Sequence, residues 1–448
     1  MTSENLSNAA EWKEFEQYTK QLMEERHIAG AAVAVSRDNK VIYAKGFGVR
    51  DLSTGEPVNP ETIFGIASVS KSFTALAIMQ LQDKGFLNVD DPVIRYIPEW
   101  KLPGIEDMSM VKIRHLLSHT TGVPPMRRRQ DLIKFKEHLQ FFETEKYVML
   151  GQSGDYLSYC NDAFLLLGLI IERLTGKLYT RHMTVNFLDT LGMNRSTYSL
   201  EELAKLENVT VPYVYNEETA TLEEVEWPRL GNYEVGGGVR SNVLDLMKYA
   251  QVYINQGMAN GQKIASPESI KQMCTPVFQI ARNSFYGFAL KITPDYSGIT
   301  LVEHGGGQPG VSSNFGFVPE KNLSVAVLTN VSDVPAESIW LCAVNTALGL
   351  PVDRKRSQEP EYSMDLDEMR SFCGTYQSDE GSKFKIVETK DGIKIDITDT
   401  EYVLRASSPS TLVFDRKGSE QVIKFHFDET GKPWAAFFHL RMLRKAAC

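Results

Sequence analysis

The sequence predicts an α+β protein: an antiparallel sheet with a helical region, followed by a small C-terminal all-β barrel. Three observations predict it. Two apolar runs near the N-terminus, Gly30–Ser36 and Lys40–Phe47, are joined through Arg37-Asp38-Asn39 and read as a β-hairpin. A long middle stretch carries helical patterning, clearest after Ser68 and in Ala163–Leu174. Beyond residue 361, short β-like runs follow one another with turns between them.

The chain has 448 residues, 42% of them hydrophobic, enough for a large core and two domains. Its formal net charge of −9 argues against a nucleic-acid partner. Arg127-Arg128-Arg129 is a local basic patch, read as a solvated face or, second to that, as a recognition loop near a site. Met1–Lys20 is polar and acidic without an apolar segment, so no secretion signal is read. The longest apolar run, Ala163–Ile171, is about half the length that spans a bilayer, so no membrane segment is expected. Cys160, Cys274, Cys342, Cys373 and Cys448 are scattered and contain no Cys-x-x-Cys, which fits reduced thiols and a cytoplasmic location. His115 and His119 lie four apart, but Leu116 stands where a zinc peptidase helix needs Glu. Neither a metal nor a cofactor is expected, and both histidines read as packing or hydrogen-bonding groups.

In chain order, Glu11–Arg26 reads as an amphipathic helix through Trp12, Phe15, Tyr18, Leu22 and Met23. After the hairpin, Thr62–Ile66 is β-like and passes into a helix with a wide apolar face of Phe73, Leu76, Ala77, Met79 and Leu81. At the changeover stands Ser68-Val-Ser-Lys71. Residues three apart share a helix face, so the Ser68 hydroxyl and the Lys71 amine can meet. The unpaired amides of a helix start and the apolar surround both favour an uncharged Lys71, able to take a proton from Ser68. The simpler reading is that Ser68 or Ser70 caps the helix while Lys71 lies in solvent. The same Ser-x-x-Lys spacing recurs at Ser109–Lys112, read as capping, and at Ser382–Lys385, in a strand-like run where it cannot pair.

Ile113–Gly122 reads as a short helix stopped by Gly122 and Pro124. Gly154–Asn161 is a polar turn into the helix Ala163–Leu174, which Gly176 ends. Tyr159 and Asn161 can reach one cavity from that turn, the phenol relaying protons and the amide holding a carbonyl. The alternative is that Asn161 caps the helix. Gly236-Gly-Gly-Val-Arg-Ser241 reads as a flexible turn before the helix Asn242–Ile254. Strands at Tyr286–Ile292 and Thr300–Val302 precede Glu303-His304-Gly-Gly-Gly-Gln-Pro-Gly310, whose glycines let a ligand approach the backbone. Strands at Val311–Val318 and Ser324–Thr329 follow. Neither triple glycine continues as a phosphate loop, and no Gly-x-Ser-x-Gly elbow occurs.

Residues 351–361 form a charged, proline-bounded linker. The tail carries β-like runs at Cys373–Gln377, Lys383–Glu388, Ile393–Thr398, Tyr402–Arg405, Thr411–Phe414, Val422–Phe427 and Trp434–Met442, with a tight hairpin at Asp391-Gly392. It holds no catalytic constellation of its own and reads as a lid or an assembly module.

Ser68-x-x-Lys71, Tyr159-x-Asn161 and His304-x-Gly306, in that order, resemble the three motifs of the serine β-lactamase and penicillin-binding-protein superfamily. Their flanks are similar too: Thr62-Ile-Phe-Gly-Ile-Ala-Ser68, Ile113-Arg-His-Leu-Leu-Ser-His-Thr-Thr-Gly-Val-Pro124 and Leu191-Gly-Met-Asn194. The likeness covers residues 10–350. It implies a β-lactamase/transpeptidase-like antiparallel sheet flanked by a helical region, with a catalytic domain at 1–350. The tail at 362–448 resembles the lipocalin-like barrel of archaeal D-aminopeptidase-type members that form cubic octamers, which implies a homo-oligomer built through this domain.

The resemblance also implies roles. Ser68 attacks an acyl carbonyl, Lys71 and Tyr159 share the proton traffic, and Asn161 orients the substrate. The backbone amides of Ser68 and Gly307, beside Gly306, form the oxyanion hole. Which of Lys71 and Tyr159 takes the first proton stays open. One departure is His304, largely neutral at pH 7–8, where penicillin targets and most β-lactamases carry Lys. This favours an aminopeptidase, amidase or esterase, acting on D-amino-acid-containing peptides or amides or on small esters. The alternatives are a β-lactam-acylated protein with slow turnover and an acyltransferase or transpeptidase. Cys160 inside the second motif reads as a packed thiol.

Overall fold

Both faces of the N-terminal hairpin are apolar, and both are covered. In the computed structural model, which describes residues 12–390, 392–416 and 419–446, Gly30–Arg37 pairs antiparallel with Lys40–Asp51 and with Leu323–Thr329. Val33 stands opposite Val327 and Val35 opposite Val325, and these side chains share a core with Phe15, Tyr43 and Trp340. The alternate residues Ala32, Ala34, Ala326 and Leu328 share another with Phe73, Leu76 and Tyr249. A sheet buried on both faces needs helices on both. Lys13–Glu25 and Ala336–Leu348 cover the first; Ser70–Asp83 and Val243–Ile254 lie on the second. Glu11, Asp391 and Cys448 lie outside the described residues.

The full sheet has nine strands. From edge to edge they are Phe278–Ala281, Ser284–Tyr286, Lys291–Tyr296, Ile299–Gln308, Val311–Val318, Leu323–Thr329, Gly30–Arg37, Lys40–Asp51 and Glu56–Pro57. Gly305, Gly306 and Gly307 therefore lie inside a strand, paired with Asn314, Ser313 and Ser312, and not in a loop. The expected strand Tyr286–Ile292 is broken, since Ala289 takes a positive φ of 53° between two shorter strands. The stretch Gly236–Ser241 also departs from expectation. Glu234–Gly237 is one helical turn, and Arg240–Ser241 pairs with Phe64–Gly65.

The tail forms a second nine-stranded antiparallel sheet that curls until it nearly closes: its two edge strands, Thr400–Val403 and Arg405–Ser408, are separated in the chain only by Leu404. Seven apolar runs become nine strands because two of the runs are broken. In one of them, Pro433–Phe438 turns into Arg441–Lys445 through His439 and Leu440, both at positive φ (47° and 63°). Such hairpin turns ordinarily take Asn-Gly. Here a tertiary bond secures the turn, the Leu440 carbonyl accepting the Tyr159 amide at 2.8 Å. The inside of the curled sheet is filled by Phe372, Tyr376, Phe384, Ile395, Phe414 and Phe425. The outside of the last hairpin (Ala435, Phe437, Met442) packs on Leu150, Leu157, Tyr159 and Tyr286. Among the described residues no helix is long and apolar enough to cross a membrane.

Candidate active site

Ser68 sits at a strained corner. Ile66 donates its amide to the Val239 carbonyl at 3.1 Å, and Ala67 then takes φ +44°, a left-handed conformation disfavoured for a residue with a β-carbon. A 3₁₀ turn, Ala67–Val69, carries the chain into the helix Ser70–Asp83. Val69 is the cap residue, with no side-chain cap, and Ser70 Oγ accepts the Val239 amide at 3.1 Å. Neither serine caps the helix. The Ser68 hydroxyl has no structural duty.

Lys71 is 1% exposed and lies one turn along. Its Nζ is 2.9 Å from Asn161 Oδ1, 3.1 Å from the Gly236 carbonyl and 3.3 Å from Ser68 Oγ. The first two oxygens can only accept, so they take two hydrogens of the amine. In the neutral form the lone pair is left to Ser68, at the longest of the three distances. Burial, reinforced by the cations Arg128 and Arg441, holds the Lys71 pKa well below 10.5. The solvent-facing alternative for Lys71 is excluded by this burial.

Tyr159 lies above the amine, its ring centroid 4.9 Å from Lys71 Nζ. Burial pushes its phenol up to about 12, against an opposing pull from the Ser68 hydroxyl. The phenol oxygen itself is buried without a hydrogen-bond partner. His119 holds the tyrosine from below. Its carbonyl accepts the Ser158 amide at 2.9 Å, its Nδ1 accepts the Cys160 amide at 3.2 Å, and its ring stacks on Tyr159 at 4.1 Å. His119 was expected to pack or hydrogen-bond; it does both, on either side of Tyr159. Asn161 does not cap its helix. It is the first helical residue of Asn161–Thr175, and Cys160 Sγ receives the Ala163 amide instead.

The strand Ile299–Gln308 closes the site. His304 Nδ1 lies 2.6 Å from the Gly305 carbonyl, which can only accept, so that nitrogen carries the proton and Nε2 accepts from the Tyr286 hydroxyl at 2.9 Å. Burial and the nearby Lys71 push the His304 pKa down to about 3, so the ring is neutral. A β-carbon on Gly306 would stand 2.3 Å from the Ile66 carbonyl and 3.1 Å from the Ser68 amide. This strand can press against the Ser68 corner only because position 306 is glycine. Gly307 has open space beside it and lines, with Ser68, Tyr159 and His304, a cavity of about 890 Å³. All seven residues singled out from the sequence thus converge.

Sequence reasoning missed what the tail brings. The guanidinium of Arg441 lies 5.3 Å from the Tyr159 ring centroid. Glu380 accepts from Arg441 Nε at 2.5 Å and from Asn161 Nδ2 at 3.4 Å. Two side chains of the tail, which from sequence reads as holding no catalytic set of its own, enter this one. Nothing local in the sequence marks them. Arg128, 3.4 Å from Glu380, did carry a signal as the middle of an arginine triplet.

A family model described as Beta-lactamase matches residues 15–340. Protein flp of Staphylococcus aureus (strain MW2) is 25% identical over 317 residues, 69% of this chain and 61% of the relative, so the chain spans about three-fifths of that relative's length. Penicillin-binding protein 4* of Bacillus subtilis (strain 168) is 24% identical over 417 residues, 86% of this chain and 90% of its own. Among solved structures, the octameric penicillin-binding protein homologue from Pyrococcus abyssi superimposes with a TM-score of 0.71 at 29% identity, covering 97% of this chain and 99% of that one. SurE shares the fold, with a TM-score of 0.76 at 20% identity over 98% of this chain and 100% of its own. The serine–lysine turn, the tyrosine–asparagine turn and the glycine strand that meet around Ser68 all lie within the matched segment, and the chain belongs to the beta-lactamase family.

Proposed function

We propose that this protein is a serine hydrolase that opens amides or esters through an acyl-enzyme on Ser68. Its proposed substrates are D-amino-acid-containing peptides or amides, or small esters. The observation that carries the reading is the Lys71 amine, buried, depressed in pKa and 3.3 Å from Ser68 Oγ. Ser68 Oγ attacks the carbonyl carbon while Lys71 takes its proton. The oxyanion forms at the amides of Ser68 and Gly307, where each donor contributes roughly 3 kcal/mol to lowering the barrier. Tyr159 relays the proton to the leaving amine or alcohol as the C–N or C–O bond breaks. Water, deprotonated by the same pair, then attacks the acyl-serine and restores the enzyme. Asn161, held by Lys71 through Oδ1 and 3.4 Å from Glu380 through Nδ2, orients the substrate in this reading.

A fluorophosphonate probe is expected to add its mass to Ser68, and Ser68→Ala to abolish hydrolysis of aryl esters and aminoacyl anilides. An alanine variant as active as the parent overturns the assignment. Comparing D- and L-aminoacyl anilides tests the stereochemical part. The Pyrococcus relative is octameric by its description, which supports a homo-oligomer formed through the C-terminal sheet. Light scattering of the full chain and of a 1–361 truncation tests that.

A further inference from the structure

The glycine strand carries a polar side chain that this mechanism does not use. Side chains alternate along a strand, so His304, Gly306 and Gln308 share one face of Ile299–Gln308. A β-carbon on Gly306 would stand 3.1 Å from the Ser68 amide, so this is the face that meets Ser68. Gln308 is 9% exposed and lines the cavity together with Ser68. Its Nε2 is buried without a hydrogen-bond partner, and among the described residues its Oε1 receives no hydrogen bond either. A carboxamide can donate and accept, and here both capacities are unused.

Two glycines make room for this amide. A β-carbon on Gly65 would stand 3.0 Å from Gln308 Nε2, 3.2 Å from Trp227 and 2.8 Å from Val311. One on Gly237 would stand 3.6 Å from Gln308 Oε1 and 3.6 Å from Leu230. The side chains gathered there, Trp227, Leu230 and Val311, are uncharged and offer no acceptor, since the indole only donates. An ionised group brought to this corner would find no counter-charge among them. A buried polar group left unpaired is costly, so the partner of this amide has to come from the cavity.

Position along the strand decides which part of a substrate can supply it. Tyr159, which serves the leaving group, lies at the other end, its ring centroid 6.3 Å from that of His304. Gln308 stands roughly 14 Å farther along, at about 3.4 Å per residue, with the Ser68 corner between them. The leaving group therefore departs toward His304, and the acyl part extends toward Gln308. From Gly305 to Gln308 the strand is paired only with Val311–Asn314 among the described residues. A peptide beside its other edge would keep its backbone in the plane of the sheet. The Gln308 side chain leaves that plane, and so would a side chain of such a peptide.

We infer that Gln308 forms a subsite for an uncharged polar side chain, an amide or a hydroxyl, on the residue that acylates Ser68. The inference rests on the acyl-enzyme reading and adds to it the chemistry of the acyl residue's side chain.

Isosteric anilides test it. Asparaginyl against leucyl 4-nitroanilide exchanges an amide for an isopropyl group of the same shape. Threonyl against valyl 4-nitroanilide exchanges a hydroxyl for a methyl, and both pairs are measured in the D and L series. In at least one pair the polar member is expected to exceed its apolar match in kcat/KM by about tenfold, the weight of one hydrogen bond. Gln308→Met keeps the length of the side chain without its amide and should lower that ratio by about tenfold. The unfolding midpoint of this variant should not fall, because the free protein loses no hydrogen bond. Equal rates within every pair, or a ratio that survives Gln308→Met, overturns the inference. A lowered midpoint with an unchanged ratio overturns it too, and makes Gln308 a structural residue. Calorimetric binding of the same anilides to Ser68→Ala reads the preference without turnover. A lack of hydrolysis would therefore sink the acyl-enzyme reading, while the binding ratio still decides the subsite.

Discussion

Gly236 and Lys71 are fitted to each other. A β-carbon on Gly236 would stand 2.7 Å from Lys71 Nζ, while the Gly236 carbonyl accepts from that amine at 3.1 Å. The amine has been brought to Ser68 by a backbone turn that can approach it only without a side chain. Gly236→Ala is therefore expected to displace Lys71 and lower kcat/KM for a neutral aryl ester by about a hundredfold. Far-UV circular dichroism should stay unchanged. Activity within twofold of the parent would mean that the amine's position does not matter.

The pH profile follows from the same amine. Lys71 acts as a base only when neutral, and burial, Arg128 and Arg441 all lower its pKa. Activity should rise with pH through that depressed value and disappear below it, as the amine gains a proton. Tyr159, pushed up to about 12, keeps its proton across the working range. Glu380 pulls Lys71 the other way, raising its pKa. Glu380→Gln removes this anion, so the acidic limb of kcat/KM should move to lower pH. A limb that moved upward would remove Lys71 from the titration.

His119 positions Tyr159 and touches no reacting atom. His119→Phe keeps a ring under the phenol but leaves the buried Cys160 amide unpaired, at a cost of about 1–3 kcal/mol. His119→Asn keeps an acceptor near Nδ1 and suits the left-handed φ of 56°, but loses the stack. Both are expected to lower kcat by about tenfold with little change in KM. Variants that lose only thermal stability, at full kcat, would make the residue a core histidine.

The C-terminal sheet supports the same tyrosine. Phe437 is buried with Leu150, Leu157, Tyr159 and Tyr286. Phe437→Ala should destabilise the chain by roughly 3 kcal/mol in denaturant titrations. It should also lower kcat, because the hairpin carrying Leu440 loosens from the Tyr159 amide. Lost stability with unaltered kcat would separate the sheet from catalysis.

The half-buried Arg356 of the linker provides a stability test. Arg356 bonds Glu303 Oε1 at 2.7 Å and also pairs with Glu337, while the Glu303 side chain is only 2% exposed. Arg356→Met removes one charged partner and leaves Glu303 the Asn314 amide at 2.7 Å and Lys291 at 3.3 Å, the latter shared with Glu337. A loss of about 1.5–3 kcal/mol is expected, as for a hydrogen bond between charged groups. The unfolding midpoint measures it; an unshifted midpoint would mean that the linker is not anchored.

The sequence by itself determined the elements and most of the chemistry. Apolar runs in Gly30–Ser36 and Ser324–Thr329, helical spacing after Ser68, and three motifs in order were enough to single out seven residues that meet around Ser68, four of which (Ser68, Tyr159, His304 and Gly307) line the cavity. These are local signals, set by side-chain periodicity and by spacing along one element. Tertiary structure alone decided what joins elements far apart in the chain. The helical turn at Gly236, read as flexible, is held against Lys71 from 165 positions away. The hairpin turn at His439 and Leu440 takes positive φ without the usual residues because Tyr159 secures it. Glu380 and Arg441 become part of the site because an apolar hairpin packs on Tyr159. Such contacts arise from burial, which depends on the whole packed surface, and burial also depresses the pKa of Lys71 and keeps His304 neutral.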